Sequence, residues 1–453
     1  MSRRELAALI LASALITLDG SGVTIALPAI GRDLGLSMAR LQWIANAPLL
    51  ALAAILLPAG TVGDRFGHMR LLRIGLTIFV AGSAACAVAW SDDAIIVARL
   101  AQGAGGALLL PAVLAMLRAA FDDPVERTRI FGKWAAWTGV ASAVGPLIAG
   151  LLVDVLSWRA VFVASMVVGA AAAALLPRGA QSRSTLRCDR VSGIATASLI
   201  LLVGALAYAL MLAARNGINQ PALLYPVVIA VAAGALFVRD PSRHVLLPPD
   251  LLRARNSVAA NATDFALYFG MFGLSFVLAV YVQQALRYSA LWAAVSLLPI
   301  SLMLLLAERF SRLTSTTGTK TLVITGALIA AGGIAWIAVG PDPLPFWSHI
   351  IAGTTVFGLG MSLTVSGLTN AAIAAVPENC SGAAAGLNHA VVRGAGLIAV
   401  ATLGSIASPG ASDFISSEGF RQAVLVCAAI VAAGSVAGAQ LRDREAGGVT
   451  SET

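Results

Sequence analysis

Charged side chains are the first shortage. Only 11% of the 453 residues are Asp, Glu, Lys or Arg, against about 25% in soluble domains, which excludes an ordinary water-soluble globule. Lysine is nearly missing, occurring only as Lys133 and Lys320. The basic surplus of +8 is dealt out loop by loop and massed on no domain, so it does not describe a nucleic-acid face. Histidine is confined to His68, His244, His349 and His389, without an HExxH spacing, and no cysteine cluster joins it, so no metal centre follows. Of the cysteines, Cys86 and Cys427 fall in apolar runs, while Cys188 and Cys380 fall in loops placed below in the cytosol; no structural disulfide is expected. Phosphate loops are lacking too. Gly318-Thr319-Lys320-Thr321 has no adjacent Gly-Lys and no upstream glycine, and Gly394-Ala395-Gly396 with Ala399 lies inside an apolar run with no strand before it. Transport driven by ATP is excluded, the chain is not read as an enzyme, and no cofactor is expected.

What the chain has instead is apolar length: 58% of its residues are hydrophobic. Continuous runs of roughly 20 residues recur, each long enough to cross about 30 Å of hydrocarbon as a helix, and a barrel would require alternation that is absent. The N-terminus resembles a secretory signal, with Arg3 and Arg4 before an apolar core, but the run continues past Asp19 to Pro28 and reads as an uncleaved first span. Polar breaks place six spans near 6–29, 41–62, 71–90, 94–117, 131–153 and 158–177, two near 191–213 and 221–239, and six near 257–283, 289–308, 321–340, 346–370, 381–406 and 419–441. The expected fold is all-α and polytopic: a six-helix bundle over 1–177, a linker with two additional helices over 178–256, a second six-helix bundle over 257–441 and a tail over 442–453. That makes fourteen spans.

Sidedness follows from arginine. Alternate loops are basic, carrying Arg65, Arg70, Arg127, Arg129, Lys133, Arg183, Arg187, Arg190, Arg243, Arg253, Arg255, Arg312 and Lys320. The intervening ones hold only Arg32, Arg40, Arg159, Arg215, Arg287 and Arg421. By the positive-inside rule the basic set and both termini face the cytoplasm. Trp43, Trp90, Trp158, Trp292, Trp336 and Trp347 fall near outer span ends, and Trp134 and Trp137 near an inner end, as interfacial aromatics do. The charged turn Gly60 to Arg70, GTVGDRFGHMR, has a faded copy in Glu308-Arg309, Arg312 and Gly318-Thr319-Lys320, which suggests two repeated halves.

Charges inside spans cost roughly 2.5–3.5 kcal/mol each on insertion scales and mark functional sites by default. Four stand out, one acid and one base per half: Asp19, Arg99, Asp264 and Arg393. At about 1.5 Å per residue, Asp19 lies roughly 14 Å and Arg99 roughly 8 Å below the outer surface, within reach of the long arginine. Asp19 is read as the site of a proton or a cationic substrate, with Arg99 tuning it; the alternative is a structural ion pair that never titrates. Asp264 sits roughly 10 Å from the inner surface, where partial exposure would make it ordinary, and Arg393 lies nearer the middle. His389 and Arg393 share a helical face. Small residues form stripes at Gly103 and Gly106 and at Ala141, Gly145 and Ala149, letting helices approach closely, and Pro146 permits a bend.

These residues resemble the motifs of the major facilitator superfamily, and specifically its fourteen-span drug:proton antiporters. Gly60, Gly63, Asp64, Arg65, Gly67 and Arg70 look like the loop between spans two and three; Arg99, Gln102, Gly103, Gly105, Gly106 and Ala107 look like the span-four motif. Gly139, Gly145, Pro146 and Gly150 resemble the antiporter motif of span five, and Leu18-Asp19 through Pro28 the span-one motif. His68, Ser21, Thr24, Pro48 and Ala149 depart from the usual residues. The resemblance implies a latch at Asp64 and Arg65, proton assistance by Arg99, and binding or coupling at Asp19. It implies proton-coupled export of small amphipathic compounds across the plasma membrane by a monomer in a lipid bilayer. An exporter of one metabolite or antibiotic, and a sensor or scaffold, are the rival readings.

Overall fold

The computed structural model describes residues 2–121, 123–177, 192–216, 220–246, 253–311, 317–374, 381–408 and 415–441. Fourteen helices of 15 or more residues organise them. The first set is α1 (Arg3–Leu34), α2 (Met38–Phe66), α3 (His68–Ala87), α4 (Asp92–Ala119), α5 (Pro124–Val155) and α6 (Trp158–Leu175). After it come α7 (Gly193–Asn216) and α8 (Leu224–Arg239). The second set is α9 (Arg255–Gln284), α10 (Ala290–Leu304), α11 (Thr319–Ala338), α12 (Ala352–Ala374), α13 (Ser381–Ala407) and α14 (Ser417–Gly438).

Local sequence sets the ends. Ser2 and Glu5 form a reciprocal capping box on α1, Ser91 caps α4 ahead of Asp92 and Asp93, and Asp123 caps α5 with Pro124 in the first turn. Two turns need glycine outright. Gly67 enters α3 at φ 93° and Gly318 enters α11 at φ 79°, a region L side chains rarely occupy, so the faded copy of the opening loop keeps its hinge geometry.

Twelve helices, not fourteen, are long and apolar enough to cross a membrane among the described residues. The two that fall short are the apolar stretch Gly193–Leu206 of α7 and all of α10. The run expected over 289–308 is broken because the chain turns at Leu305 and Leu306 into a separate short helix, Ala307–Ser311. The 15 residues of α10 then reach about 22 Å, short of a typical hydrocarbon core. Of the tryptophans expected at an interface, Trp90 and Trp347 are exposed, but Trp158 is buried and donates to Asp33 Oδ2 at 2.9 Å. The linker 178–190, the tail 442–453, Cys188, Cys380 and Arg312 lie outside the described residues.

Packing repeats with an offset of eight helices. Contacts α3–α4, α1–α5, α1–α6 and α3–α6 recur as α11–α12, α9–α13, α9–α14 and α11–α14. The sets meet mainly through α2–α13 and α5–α10. The pair α7–α8 lies to one side, α7 against α2 and α13, with Tyr208 tilted against Trp43 at 5.5 Å and edge-on to Tyr225 at 5.8 Å. Apolar side chains at the end remote from the Gly60–Arg70 loop, such as Ile25, Ile30, Phe162, Phe276 and Tyr281, form one core across both sets. Nearer the loop the first set keeps its own core, around Leu9, Leu15, Leu72 and Leu117. Among the described residues the sets share one core at the remote end, and the first set keeps a core of its own near the loop.

Candidate functional site

Between the sets lies a cavity of about 300 Å³, within the range of small-molecule sites. Helices α1, α2, α4 and α5 wall one side, and α9, α10 and α13 the other. Asp19, Arg99 and Gln102 line the first wall; Tyr268, Asn388, His389 and Arg393 line the second.

The first wall is a closed polar network. Asp19, Arg99 and Gln102 are 3%, 1% and 0% exposed, and Arg99 Nη1 donates to Asp19 Oδ2 in a buried ion pair. Arg99 Nη1 also donates to Gln102 Oε1 at 2.9 Å, and its Nε to the Ile44 carbonyl at 3.3 Å. Gln102 Nε2 donates to Asp19 Oδ1 at 3.1 Å and to Ser83 Oγ at 2.8 Å. The two charges expected within reach of each other do meet, and Gln102 bridges them. Such a network in a low-dielectric setting is worth most when complete, and loses most when one member changes.

The second wall is built differently. Asp264, 9% exposed, accepts from Asn388 Nδ2 at 2.6 Å. Arg393 does not pair with it: the guanidinium sits 5.8 Å from the Phe272 ring centroid, and no ion pair to Arg393 exists among the described residues. Each set therefore carries an acid and a base, but only the first brings them together.

The remote end of the cavity is sealed by hydrogen bonds from set to set. Gln42 Nε2 donates to the Val400 and Ala401 carbonyls at 3.1 and 3.2 Å, and Gln283 Nε2 to the Ile25 carbonyl at 3.0 Å. Asp154, at the end of α5, accepts from the Ala290 and Leu291 amides at 3.0 and 2.9 Å and so caps α10 of the other set. None of Gln42, Asp154, Gln283 and Asn388 was marked from sequence. The signal was present for Gln42 and Gln283, amides inside apolar runs, because the cost rule for intramembrane charge applies in weaker form to amides.

The span-five glycines hold this junction. A Cβ on Gly150 would meet the Leu291 Cα at 2.7 Å and the Ala290 carbonyl at 2.9 Å, in the first turn of α10, and one on Gly139 would meet Cδ2 of Leu305, the residue just after α10, at 2.5 Å. Gly145 packs against Leu18 of α1, and Pro146 lines the cavity. In the charged loop, Asp64 Oδ1 lies 3.0 Å from His68 Nε2, Arg65 is exposed with its guanidinium 5.1 Å from the Phe66 ring, and Arg70 is exposed. Gly60 lies in the last turns of α2 with no neighbour where a Cβ would stand. Among the described residues no ion pair joins Arg65 or Arg70 to the second set.

With the cavity and its walls in place, comparison with known proteins is informative. Residues 9–400 match the sequence profile of a family described as the Major Facilitator Superfamily. A methylenomycin A resistance protein of Bacillus subtilis (strain 168) is 31% identical over 398 residues, covering 86% of this chain and 84% of that protein. The multidrug efflux pump LfrA of Mycolicibacterium smegmatis is 29% identical over 407 residues, covering 88% and 80%. Among solved structures, the human organic anion transporter MFSD10 superposes with a TM-score of 0.64 over 97% of this chain and 100% of that one; at 14% identity this is a likeness of fold alone.

Proposed function

The chain belongs to the Major Facilitator Superfamily, and from that premise we propose that it exports small amphipathic compounds, drugs and antibiotics among them, across the plasma membrane in exchange for protons. The family consists of transporters, so the chain is a multi-pass membrane transporter and not an enzyme. Resistance and efflux proteins among its relatives support the direction of transport. The observation that carries the coupling is an ionisable carboxylate, Asp19, in the wall of the cavity between the sets, neutralised by Arg99.

Protonation of Asp19 removes the charge that holds Arg99 and Gln102, loosens the network on α1 and α4, and releases the occupant; deprotonation restores the pair and resets the site. One charge crossing about 100 mV gains about 2.3 kcal/mol, and each pH unit adds about 1.4 kcal/mol. One proton thus sustains a gradient of roughly several hundredfold. Asp264 is the second candidate coupling group, held by Asn388.

The end carrying the Gly60–Arg70 loop faces the cytoplasm in this reading, with both termini. In support, Arg40 and Arg159 at the opposite end are paired with Asp92, Asp93 and Asp33, whereas among the described residues no ion pair includes Arg65 or Arg70. The sets, sharing one core at the remote end, then stand closed to the outside. Asp64 and Arg65 form their latch only after rearrangement, because here Asp64 is engaged by His68. The chain works as a monomer of two six-helix bundles over 1–177 and 257–441, with α7 and α8 inserted between them. An exporter dedicated to one antibiotic is the second reading, favoured by the relative named for resistance to methylenomycin A alone.

The test is substrate-induced proton release in inverted vesicles. Asp19→Asn should reach the membrane and lose proton release and efflux together. Efflux at the wild-type rate in that variant would remove Asp19 from the mechanism, and a response to only one compound of a broad panel would select the dedicated exporter.

A further inference from the structure

The charge balance of the cavity is lopsided. On the first wall the positive Arg99 and negative Asp19 cancel, and Arg99 Nε, Arg99 Nη1 and Gln102 Nε2 each donate to an acceptor of this chain. On the second wall Asp264 is turned into a hydrogen bond with Asn388, while Arg393 lines the cavity without a carboxylate within 4.0 Å among the described residues. Its nearest recorded neighbour is the Phe272 ring, an apolar face that attracts the guanidinium and leaves its five N–H donors to be used. His389 stands one helical turn earlier on the same wall, and the rings of Tyr268 and Phe272, tilted by 34° with centroids 6.3 Å apart, lie beside it. Around these, Leu49, Leu52, Phe79, Met271 and Val392 supply apolar surface.

A guanidinium in a cavity between membrane helices is costly while uncompensated. An occupant that brings a carboxylate removes that cost, because the planar fork takes both oxygens at once and a ring on the same molecule can lie against Tyr268 and Phe272. We infer that the cavity selects organic anions: Arg393 is a carboxylate-binding subsite, and its occupants are aromatic or amphipathic monocarboxylates and not lipophilic cations. The inference rests on the reading above in taking this cavity as the transport site.

The purified full chain in nanodiscs is titrated with three probes of one shape: 2-naphthoate, 2-naphthamide and the 2-naphthylmethylammonium cation. Wild type should bind the carboxylate about tenfold or more tightly than the amide, the margin of a charge-assisted bond, and the cation most weakly. Arg393→Gln should lose that margin, with naphthoate falling about tenfold and naphthamide within twofold of wild type. Arg393→Lys, which keeps the charge but not the fork, should fall between them. The proposal is overturned if wild type binds the amide or the cation as tightly as the carboxylate, or if Arg393→Gln keeps the preference. Should Arg393→Gln not fold, the wild-type order and Arg393→Lys decide. A carboxylate preference without proton release in vesicles would remove the export reading and leave the subsite standing. Proton release by cationic dyes with no carboxylate preference would remove the subsite and leave export standing.

Discussion

At the scale of single residues, stability and coupling depend on which buried charges have a partner. Removing one partner of a buried ion pair costs about 3–5 kcal/mol, because the other is left uncompensated. Asp19→Asn should therefore lower thermal stability as well as abolish coupling, which would blur its reading as a mechanistic variant. The double variant Asp19→Asn with Arg99→Gln removes both charges and leaves amides to bond with Gln102. It should unfold closer to wild type than either single variant while remaining inactive in proton-driven efflux. A double variant that unfolds as early as the worse single one would show that the pair does not account for the loss. Asp19 and Arg99 were legible in the sequence because a charge inside an apolar run is costly and must be compensated. Their pairing was legible from depth. Asp264 and Arg393 were equally visible as charges, but their failure to meet was not, since it depends on the rotation of α9 against α13, which span lengths do not encode. Asn388 was invisible for a simpler reason: a lone amide carries little signal.

At the scale of helices, α5 is where sequence and structure inform each other. Its glycines read as a motif of one helix, yet two of them face the other set: Gly150 the first turn of α10, and Gly139 the turn residue Leu305 that follows it. The neighbours differ in how far they can yield. Gly150→Ala would press a methyl group on the backbone of Ala290 and Leu291, whereas Gly145→Ala would press chiefly on the rotatable end of Leu18. Gly150→Ala should then cost about 1–3 kcal/mol as overpacking does, and Gly145→Ala less, measured as thermal shifts in detergent; equal shifts would mean that α10 moves freely. Asp154→Ala removes a cap from α10 and should cost about 0.5–2 kcal/mol. The α7–α8 pair is tied by Asp240, which accepts from Ser242 Oγ at 2.7 Å and the Ser242 amide at 2.8 Å, while the Ser192 amide donates to Ser242 Oγ at 3.0 Å. Hydrogen bonds from Ser242 and Ser192 hold the Asp240 carboxyl below its ordinary value of 3.8. A depressed acid contributes above its unfolded value and loses that contribution as pH falls through the lower folded one. Proteolysis beside Ser192 or Ser242, where this tie lies, should thus be flat across neutral pH and rise only below about pH 4. A rise near pH 6 would point to another group. The span count was misread over 289–308 because composition alone does not reveal the turn at Leu305 and Leu306.

At the scale of the molecule, a repeat of helix pairings creates two rigid sets, and the hydrogen bonds between them decide which way the cavity is shut. The repeat was half legible: Gly67 and Gly318 announce equivalent hinges, but the contact pattern offset by eight helices lies in long-range packing. Of the seal only the amides Gln42 and Gln283, inside apolar runs, carry a signal in the sequence, and their partners carry none. Gln42, Gln283 and Asp154 come from three helices and find backbone partners, which have no sequence signature. In an alternating-access cycle these bonds must break each time the cavity turns to the remote side. Joining α1 to α9 across the seal is the direct test, with Ile25→Cys and Gln283→Cys bridged by a short bis-maleimide in a background whose native cysteines are replaced. The bridged protein should still bind a probe offered from the loop end, and should lose efflux until a cleavable version of the linker is cut. The uncrosslinked double variant, which keeps Gln42 and Asp154, should retain much of its transport and serve as the baseline. Efflux by the bridged protein at that baseline rate would mean that the remote end never opens, and the sealed core shared by Ile25, Phe276 and Tyr281 would then be a permanent wall and not a gate.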